Sequence, residues 1–293
     1  MTIGNFDGFH RGHQYIVSEV NRIARERNGA SAVMSLWPHP RAFFHPEETV
    51  ELLTAPDYKK TLLEEAGLNA YFVLPFTQGI ADMDRDQFLR EIVLDHCNAR
   101  CLVVGHDFSF GAGARGDFDY LASVSPQLGL DVVQLPALEE GDHGRISSTM
   151  VREHVRAGEM EKVRELLGRP YLLQGEVRKG RGLGRKLGYP TANIAPPANM
   201  LPAFGIYAAR VAWRGQNAIG AVNIGMAPTV AHSGPMIEVH LLDVDQDLVG
   251  EALQVYLYHR LRGEKKFPDL ESLKAAIEKD IVDIRAYFAA TDT

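Results

Sequence analysis

The sequence is poor in cysteine, and it lacks both long apolar runs and an excess of positive charge. Among its 293 residues only Cys97 and Cys101 are cysteines. With no second ligand cluster nearby, neither a disulfide framework nor a zinc site is predicted, and ordinary buried thiols are expected. No stretch approaches the ~18 apolar residues of a membrane span, and no signal peptide precedes the first motif. We therefore expect a cytoplasmic protein that does not contact membranes.

The charge and composition narrow the possible partners and the architecture. The formal net charge is -7, whereas proteins that coat nucleic acids carry a basic excess that neutralises phosphates, so nucleic acid is not an expected partner. Small anionic ligands are compatible with this charge. Apolar residues make up 45% and charged residues 24% of the chain, which is typical of a globular protein. The length suits two domains.

In the first half, short apolar runs alternate with helical stretches. The runs SAVMSLW, AYFVLPF, CLVVG and DVVQLP are separated by segments such as GHQYIVSEVNRIARER and DRDQFLREIVLDH. In the helix after His13, the residues Ile16, Val20 and Ile23 share one face, as in a helix packed on a sheet. This alternation predicts a parallel sheet with crossover helices.

In the second half, closely spaced strand-like runs follow one another without helices. They are YLLQGEVRK, GIYAARVAW, AIGAVNIG, IEVHLLDV and LQVYLYHRL, a pattern that predicts an antiparallel barrel. Leucine, isoleucine and phenylalanine recur every three or four residues near the C-terminus, so one amphipathic helix should start near Asp269. Gly168 and Pro170 interrupt a helix just before the first run, which predicts domains at 1–168 and 169–293.

The opening segment, MTIGNFDGFHRGHQ, is rich in glycine and histidine. Gly4 and Gly8 let backbone approach a ligand, and a helix that begins near Gly12 directs its free N–H groups at an anion, as a phosphate site requires. His10 and His13 could hydrogen-bond to a phosphate and stabilise charge in a transition state. Purely structural histidines are the alternative. The string GNFDGFHRGH decides between them, because it resembles the signature of nucleotidyltransferases with an H-x-G-H element.

A second segment, GRISSTMVREHVRAG, also suits phosphate. Ser147, Ser148 and Thr149 place hydroxyls at a helix start, and Arg152 follows one turn later. A simple helix cap is the alternative interpretation. Together with the opening motif, and because nucleotidyltransferases carry a similar I-S-S-T element, we interpret the segment as part of an ATP site.

Two loops, SLWPHPRAFF and VVGHDFSFGAGARGD, follow strands and carry aromatic residues. Phe43, Phe44, Phe108 and Phe110 could hold a flat ring beside Asp107, although each could also be core packing. Ligands in open α/β sheets bind at the carboxyl ends of strands, which favours a binding role for these loops.

The segment VRKGRGLGRKLGYPTANI combines glycines with basic residues, which is typical of a phosphate cradle. Thr191 and Asn193 at its end offer oxygen ligands for Mg²⁺ beside a triphosphate, and hairpin turns are the alternative explanation for the glycines. In IEVHLLD, alternation places Glu238 on the face opposite Ile237 and Val239, where it could act as a general base. Glu238 could also be merely exposed, and Glu264 is the competing carboxylate.

Taken along the chain, these motifs resemble those of the prokaryotic bifunctional riboflavin kinase and FMN adenylyltransferase family, also called FAD synthetases. GNFDGFHRGH, WPHPRAFF, GHDFSFG and ISSTMVR occur in the family's order in the first half, as do GRKLGYPTAN, GIYAARV, NIGMAPT, IEVHLLD and LRGEKKF in the second. The resemblance implies an α/β plus β protein: a Rossmann-like nucleotidyltransferase domain, then an antiparallel β-barrel riboflavin kinase domain with a C-terminal helix.

The resemblance also implies the reactions and the site residues. The barrel would convert riboflavin and ATP to FMN, and the first domain would convert FMN and ATP to FAD and pyrophosphate, both with Mg²⁺. The implied catalytic residues are His10, His13 and Glu238, and the implied metal ligands are Thr191 and Asn193. The implied ATP-binding residues are Gly4, Phe6, Asp7, Gly12, Ser147, Ser148, Thr149, Arg152, Gly180, Gly184, Arg185, Gly188, Pro190, Thr191 and Asn193. The implied flavin-binding residues are Pro38, His39, Pro40, Phe43, Asp107, Phe108, Phe110, Arg262, Glu264 and Phe267.

The sequence departs from the family's pattern at its first strand, and it leaves two alternative functions open. In the family a segment usually precedes the first strand, whereas MTIGNF forms a short strand here, so the adenylyltransferase sheet is expected to be weakened or the start to lie upstream. A kinase with an inactive nucleotide-binding domain and a non-catalytic flavin-binding regulator are the alternatives. The sequence leaves the oligomeric state open.

Overall fold

A computed structural model describes residues 1–47, 50–138, 144–180, 183–226 and 234–291. Contacts divide the chain into two compact units, Met1–Ser148 and Thr149–Thr293. Some residues of the sequence motifs lie outside the described ranges, namely Arg181 and Gly182 of the glycine-rich segment and the last three residues of NIGMAPT.

The first unit forms all four strands that the apolar runs predict, and one short strand before them. Its strands are β1 (Thr2–Ile3), β2 (Ala32–Trp37), β3 (Ala70–Pro75), β4 (Cys101–Gly105) and β5 (Asp131–Leu135). Its helices are α1 (Arg11–Glu26), α2 (Pro40–Phe44), α3 (Pro56–Glu65), α4 (Gln78–Asp82), α5 (Arg85–Gln87), a π-helix (Phe88–His96), a 3₁₀-helix (Ala112–Ala114) and α6 (Phe118–Leu128).

The strands of the first unit are parallel and form a three-stranded sheet, β1-β2-β3, and a two-stranded sheet, β4-β5. Hydrogen bonds between Met1 and β4 join the two edges, which gives the overall order β3-β2-β1-β4-β5. β1 pairs with β2, β2 with β3, and β4 with β5. Between β1 and β4, the Val103 backbone N–H donates to the Met1 carbonyl oxygen at 2.8 Å, and the Met1 amino group donates to the Cys101 carbonyl oxygen at 2.7 Å. The chain order reverses between β1 and β4, and the crevice at such a reversal is where ligands bind in open α/β sheets.

Helix α1 packs on this sheet through the apolar face that the sequence predicts. Val20 and Ile23 are buried, Val17 joins them, and Arg22 on the opposite face pairs with Glu19. Cys101 is buried in the same cluster as Val20, whereas Cys97 is half-buried. Burial raises the pKa of both thiols, so they are protonated at neutral pH.

The second unit is built around a closed six-stranded barrel with strand order β10-β7-β6-β11-β8-β9. Its strands are β6 (Tyr171–Arg178), β7 (Ala192–Ile194), β8 (Gly205–Trp213), β9 (Gln216–Met226), β10 (Pro235–Leu241) and β11 (Ala252–Arg262). The helices are α7 (Ser148–Ala157), which begins at the last residue of the first unit, α8 (Met160–Leu167), α9 (Leu183–Leu187) and α10 (Leu270–Thr291). The barrel strands pair antiparallel throughout.

The barrel differs from the sequence-based expectation in two respects. A short helix, α9, lies between β6 and β7, although no helix was expected among the strand runs. The three-residue strand β7, which contains Asn193 of the PTAN segment, is not among the strand runs read from the sequence. Both elements are too short to produce a hydrophobic period, so the sequence pattern contains no signal for them.

Helix α8 belongs to the barrel unit by contacts. Its buried residues Met160, Val163 and Leu166 lie on the face that packs against β6 and β11. The contact division therefore falls about twenty residues before Gly168, where the glycine–proline signal suggested a boundary. The division of the two activities at residues 168 and 169 stays a prediction.

Apolar and polar residues alternate along the barrel strands, so that apolar side chains fill the inside of the barrel and polar side chains lie outside it. In β10, Ile237, Val239 and Leu241 are buried, whereas Glu238 and His240 between them are only half-buried. The C-terminal helix begins at Leu270, one residue from the predicted start, and buries Ile284 and Phe288. None of the helices in the described part of the chain has the length and apolar character that a membrane span requires.

Candidate functional site

The opening motif forms the turn between β1 and α1, at the carboxyl edge of the sheet. His10 is buried and caps the helix, and its Nδ1 accepts from the His13 backbone N–H at 3.4 Å. The rings of His10 and His13 stack with centroids 3.6 Å apart. A Cβ on Gly12 would lie 3.1 Å from His10 Nδ1, so the absence of a side chain there lets the ring pack against the helix. The turn therefore presents two stacked imidazoles at the N-terminus of a helix, where anions are favoured.

The carboxylate of Asp7 organises this turn from within. Asp7 is buried, and it accepts from the backbone N–H of Leu53 at 3.0 Å and of Thr54 at 3.1 Å. Gly8, the next residue, has φ +83°, a left-handed conformation that glycine adopts without strain. These contacts tie the turn to residues 53–54. The ATP-binding role of Asp7 stays a prediction.

Replacing Asp7 by Asn should loosen this attachment. The amide would place an NH₂ donor against backbone donors, and the loss of a charge-assisted hydrogen bond in a buried site costs about 2 kcal/mol. Hydrogen exchange by mass spectrometry should show faster exchange for the backbone amides of Leu53 and Thr54. Asp95→Asn, an exposed change in the same unit, is the matched control. Unchanged exchange at residues 53–54 would contradict the assignment.

The ISST segment meets the opening turn at the start of α7. Ser148 Oγ donates to the Asp7 carbonyl oxygen at 2.9 Å, and the Ile146 carbonyl oxygen lies 3.7 Å from the position of a Cβ on Gly12. The structure thus brings Ser148 beside the histidine turn, and Ser147 precedes it in sequence. Thr149 and Arg152 follow on the same helix, and their phosphate contacts stay predictions.

The WPHP loop approaches the opening turn through hydrogen bonds of His39. Its Nε2 is 2.8 Å from Asn5 Nδ2, and its Nδ1 accepts from the Arg41 N–H at 3.1 Å. Lys59 Nζ donates to the Asn5 carbonyl oxygen at 3.0 Å, so three segments converge on Asn5. Pro38 is exposed and Pro40 half-buried. Asn5 and Lys59 were not identified from the sequence.

The aromatic residues proposed for flavin binding fall into two groups. Phe43 packs edge-on against Phe76 with ring centroids 5.2 Å apart, and Phe44 beside it is 56% exposed, so this group offers accessible ring surface. Phe110 is buried in the core beneath the sheet, stacked on the half-buried Phe108 at 5.5 Å. Core packing, the alternative noted for these rings, is therefore what Phe110 does in the structure.

Asp107 follows β4 and forms an ion pair with Arg145. Partial burial raises the pKa of Asp107, but the hydrogen bond and charge of Arg145 outweigh this and hold the pKa below its ordinary value. Arg145 lies just before Ile146, so this pair connects the loop after β4 to the ISST segment. The carboxylate stays ionised at neutral pH.

The barrel carries two cavities, and the first is lined by the glycine-rich segment. It has a volume of about 500 Å³, and its walls include Arg178, Lys179 and Arg185 together with Thr191 and Asn193. Its other wall is formed mainly by apolar residues of β10 and of the segment that follows it. Basic side chains and free backbone on one side and apolar surface on the other suit a nucleotide.

Glycines bring the backbone of this cradle close to its polar side chains. A Cβ on Gly180 would lie 2.1 Å from Asn193 Nδ2, and one on Gly184 would lie 2.3 Å from the Tyr189 carbonyl oxygen. Gly188 has φ +90° in the turn after α9. The hydroxyl of Thr191 and the amide oxygen of Asn193 are hard oxygen donors, so the residues present fit Mg²⁺.

The second cavity has a volume of about 720 Å³ and adjoins the first at Thr191, which lines both. Glu238 and Asn223 line it from β10 and β9, and Asn223 Nδ2 donates to Glu238 Oε2 at 3.5 Å. Glu238 is also the cross-strand neighbour of Asn193 on β7. The Glu238 carboxylate therefore lies between Asn193, which lines the first cavity, and Asn223, which lines the second.

The roof of the second cavity comes from the 263–269 loop and helix α10. Leu270, Leu273, Ile277 and Asp280 line it from the helix. Phe267 lies under the Arg262 guanidinium, with 5.7 Å between the guanidinium carbon and the ring centroid. A Cβ on Gly225 would lie 1.9 Å from Glu264 Oε1, so this glycine admits the Glu264 side chain.

Arg262 is held by a carboxylate that the sequence analysis did not identify. Its Nε donates to Asp280 Oδ1 at 2.9 Å and its Nη2 to Asp280 Oδ2 at 2.6 Å, and Asp280 is buried. A weak signal existed, because Asp280 borders the apolar stripe of α10 that runs through Ile277, Ile281 and Ile284. Asn223, likewise missed, stands first in the NIGMAPT motif.

The first unit has a histidine-bearing turn at the switch point of parallel strands, and the second is a closed barrel with two adjoining cavities. Together they are the features of a two-domain transferase that uses nucleotides. Family comparison names the two parts. The sequence model of FAD synthetase matches residues 1–150, and that of riboflavin kinase matches residues 167–288. The chain belongs to the family of bifunctional riboflavin kinase/FMN adenylyltransferases.

Curated relatives match over nearly the whole chain. The bifunctional riboflavin kinase/FMN adenylyltransferase of Escherichia coli (strain K12) is 37% identical over 292 residues, covering 99% of this chain and 93% of the relative. The protein of the same name from Pseudomonas fluorescens is 39% identical over 289 residues, covering 98% of this chain and 92% of the relative. The resemblance stated from the motifs is thereby confirmed.

A solved structure shares the fold. A crystal structure described as a macrolide-efflux protein from Streptococcus pneumoniae matches with a TM-score of 0.88 at 27% identity, covering 97% of this chain and 93% of that one. That description concerns the other protein, and the likeness establishes the fold.

Proposed function

We propose that this protein makes FAD from riboflavin in two steps, phosphorylation in the barrel and adenylylation in the first unit. The observation that carries the proposal is that each part matched by a family model contains its own site of suitable chemistry: the histidine turn in the first, the two adjoining cavities in the second. We assign the adenylyltransferase to residues 1–168, the kinase to 169–293, Mg²⁺ as the metal and the cytoplasm as the location.

In the kinase, ATP would occupy the smaller cavity and riboflavin the larger one. The basic residues Arg178, Lys179 and Arg185 hold phosphate charge, and the apolar walls beneath α10 hold the flavin ring. Transfer occurs at Thr191, where the cavities adjoin. The ribityl 5'-hydroxyl attacks the γ-phosphorus, the bond to the ADP oxygen breaks, and Glu238 accepts the hydroxyl proton.

Mg²⁺, when bound by Thr191 and Asn193, supplies charge that stabilises the transferring phosphoryl group. Asn223 holds Glu238 through its amide, which fixes the carboxylate before substrate enters. Phosphoryl transfer asks little covalent work of a protein, so alignment of the hydroxyl accounts for much of the rate.

In the adenylyltransferase, a phosphate oxygen of FMN attacks the α-phosphorus of ATP and pyrophosphate leaves. His10 and His13 donate hydrogen bonds to the phosphate oxygens as negative charge builds, and the N-terminus of α1 adds its backbone N–H groups. Because Nδ1 of His10 accepts from the His13 N–H, its Nε2 carries the proton that it can donate.

A chromatographic time course of riboflavin with excess Mg·ATP tests this function. We expect riboflavin to give way to FMN and FMN to FAD, with ADP and pyrophosphate as the other products. FMN that accumulates without forming FAD would show that the first unit is not an adenylyltransferase. Riboflavin that stays unchanged would refute the kinase assignment.

A further inference from the structure

The pair of Arg262 and Asp280 sets the electrostatic character of the larger cavity. Both residues line it, and their two parallel hydrogen bonds of 2.9 and 2.6 Å hold the guanidinium against a carboxylate that is buried on α10. A paired guanidinium presents little net positive charge to a ligand, because the field of the adjacent carboxylate opposes its own. Arg262 therefore contributes shape and hydrogen bonds to this cavity more than charge.

The rest of the described lining is acidic. Besides the Arg262–Asp280 pair, the carboxylates Glu238, Glu264 and Asp269 line the cavity wall, against one cationic side chain, Lys265. His240 also lines the wall, and its Nδ1 is 2.8 Å from the Pro190 carbonyl oxygen. A cavity with this lining attracts neutral or cationic molecules and repels anions.

The substrate and the product flavin of the proposed kinase reaction differ in their charge. Riboflavin is uncharged, whereas the phosphate monoester of FMN carries about -1.5 to -2 charges at neutral pH. Substrate and product share the flavin ring, so contacts to the ring cannot discriminate between them. The negative charge of the cavity wall can, because it repels the phosphate of FMN.

We propose that Asp280 is a specificity-determining and positioning residue: by neutralising Arg262 it keeps the flavin cavity acidic, so that the cavity accepts a neutral flavin and releases the phosphorylated one. The inference rests on the proposed kinase function and deepens it. Without the Asp280 charge, the Arg262 cation would face the cavity uncompensated and would hold the product phosphate.

Product inhibition of the isosteric variant Asp280→Asn tests the proposal. Riboflavin-dependent ADP formation at saturating Mg·ATP reports the kinase alone, because adenylyl transfer releases pyrophosphate. FMN and lumiflavin, an uncharged flavin, are the inhibitors, and initial rates are taken before adenylylation has consumed an appreciable part of the FMN. We expect the Ki of FMN to fall about fivefold in the variant, from the charge change acting on the phosphate, while the Ki of lumiflavin stays within about twofold of that in the unaltered protein.

Asp283→Asn is the matched control. It makes the same change on the same helix and frees Lys279 instead, outside the cavity wall, so the Ki of FMN should not change. Equal shifts for FMN and lumiflavin in Asp280→Asn would show a merely structural role and overturn the proposal, as would no shift at all. An unaltered protein that forms no ADP from riboflavin would instead refute the proposed function.

The unaltered protein provides a second test if Asp280→Asn does not fold. Raising the ionic strength from about 0.01 to about 0.15 M shortens the Debye length from about 30 to about 8 Å and screens repulsion between the wall and a phosphate. FMN inhibition should strengthen relative to lumiflavin inhibition. A ratio of the two Ki values that stays constant, or that moves the other way, would overturn the proposal.

Discussion

Replacing Glu238 by Gln should reduce riboflavin phosphorylation by about 10²- to 10⁴-fold, the range expected for removal of a general base. Gln keeps the size of the side chain and a hydrogen bond to Asn223, but it cannot take the proton from the ribityl hydroxyl. FAD formation from supplied FMN should be unchanged, because the FAD synthetase model matches the other part of the chain, residues 1–150. Initial rates of ADP formation, measured with riboflavin, give the result.

Glu176→Gln is the matched control for this variant. Glu176 is an exposed glutamate on strand β6 of the same barrel, outside the walls of both cavities, so its replacement should leave the phosphorylation rate unchanged. A Glu238→Gln protein that retains more than a tenth of the activity would shift the role of base to Glu264, the other carboxylate considered from the sequence.

His13→Ala should impair the second step as strongly as Glu238→Gln impairs the first. Loss of one donor to a charged transition state costs about 10²- to 10³-fold in rate. The imidazole stacks on His10 and tilts against Phe6, with ring centroids 4.9 Å apart in the latter pair. FMN should therefore accumulate during a riboflavin time course while phosphorylation proceeds at its usual rate.

The control for the histidine variant is His96→Ala. His96 is an exposed histidine at the end of the π-helix in the same unit, and its removal should not affect FAD formation. Undiminished FAD formation by His13→Ala would mean that the turn binds nucleotide without promoting transfer. A general loss of folded protein would be seen as a loss of kinase activity too.

The sequence predicted the fold well because its strongest signals were periodic. The apolar runs of β2 to β5 and the alternation in β10 come from burial on one or both faces of a sheet, and burial leaves a pattern in the chain. Strand β7 and helix α9 leave none. Their residues are placed by glycine turns and by pairing with β10, which are tertiary effects that a local pattern does not record.

The candidate site was predictable where function demands unusual residue types. Histidines at a glycine turn and a threonine two residues before an asparagine are conspicuous, so His10, His13, Thr191 and Asn193 could be proposed from the sequence, and their roles stay predictions. Asn5, Lys59 and Asn223 were missed because they act through backbone carbonyls or neighbouring carboxylates, contacts that only the folded chain creates. Phe110 shows the opposite situation, because the sequence allowed both flavin binding and core packing, and the folded chain places its ring in an apolar core cluster.

Helix α10 has two different surroundings along its length, and this shapes how a ligand enters. Its carboxyl-terminal half is anchored by Ile284 and Phe288, which are buried with Ala208 and Leu242 in one apolar cluster. Its amino-terminal turns rest on the rim of a hollow, with Leu270 59% exposed. We therefore expect the first two turns of α10 to open more readily than its anchored half. A ligand could then reach the cavity while the hydrogen bonds of the barrel strands remain intact, so the free-energy cost of admitting it would stay local.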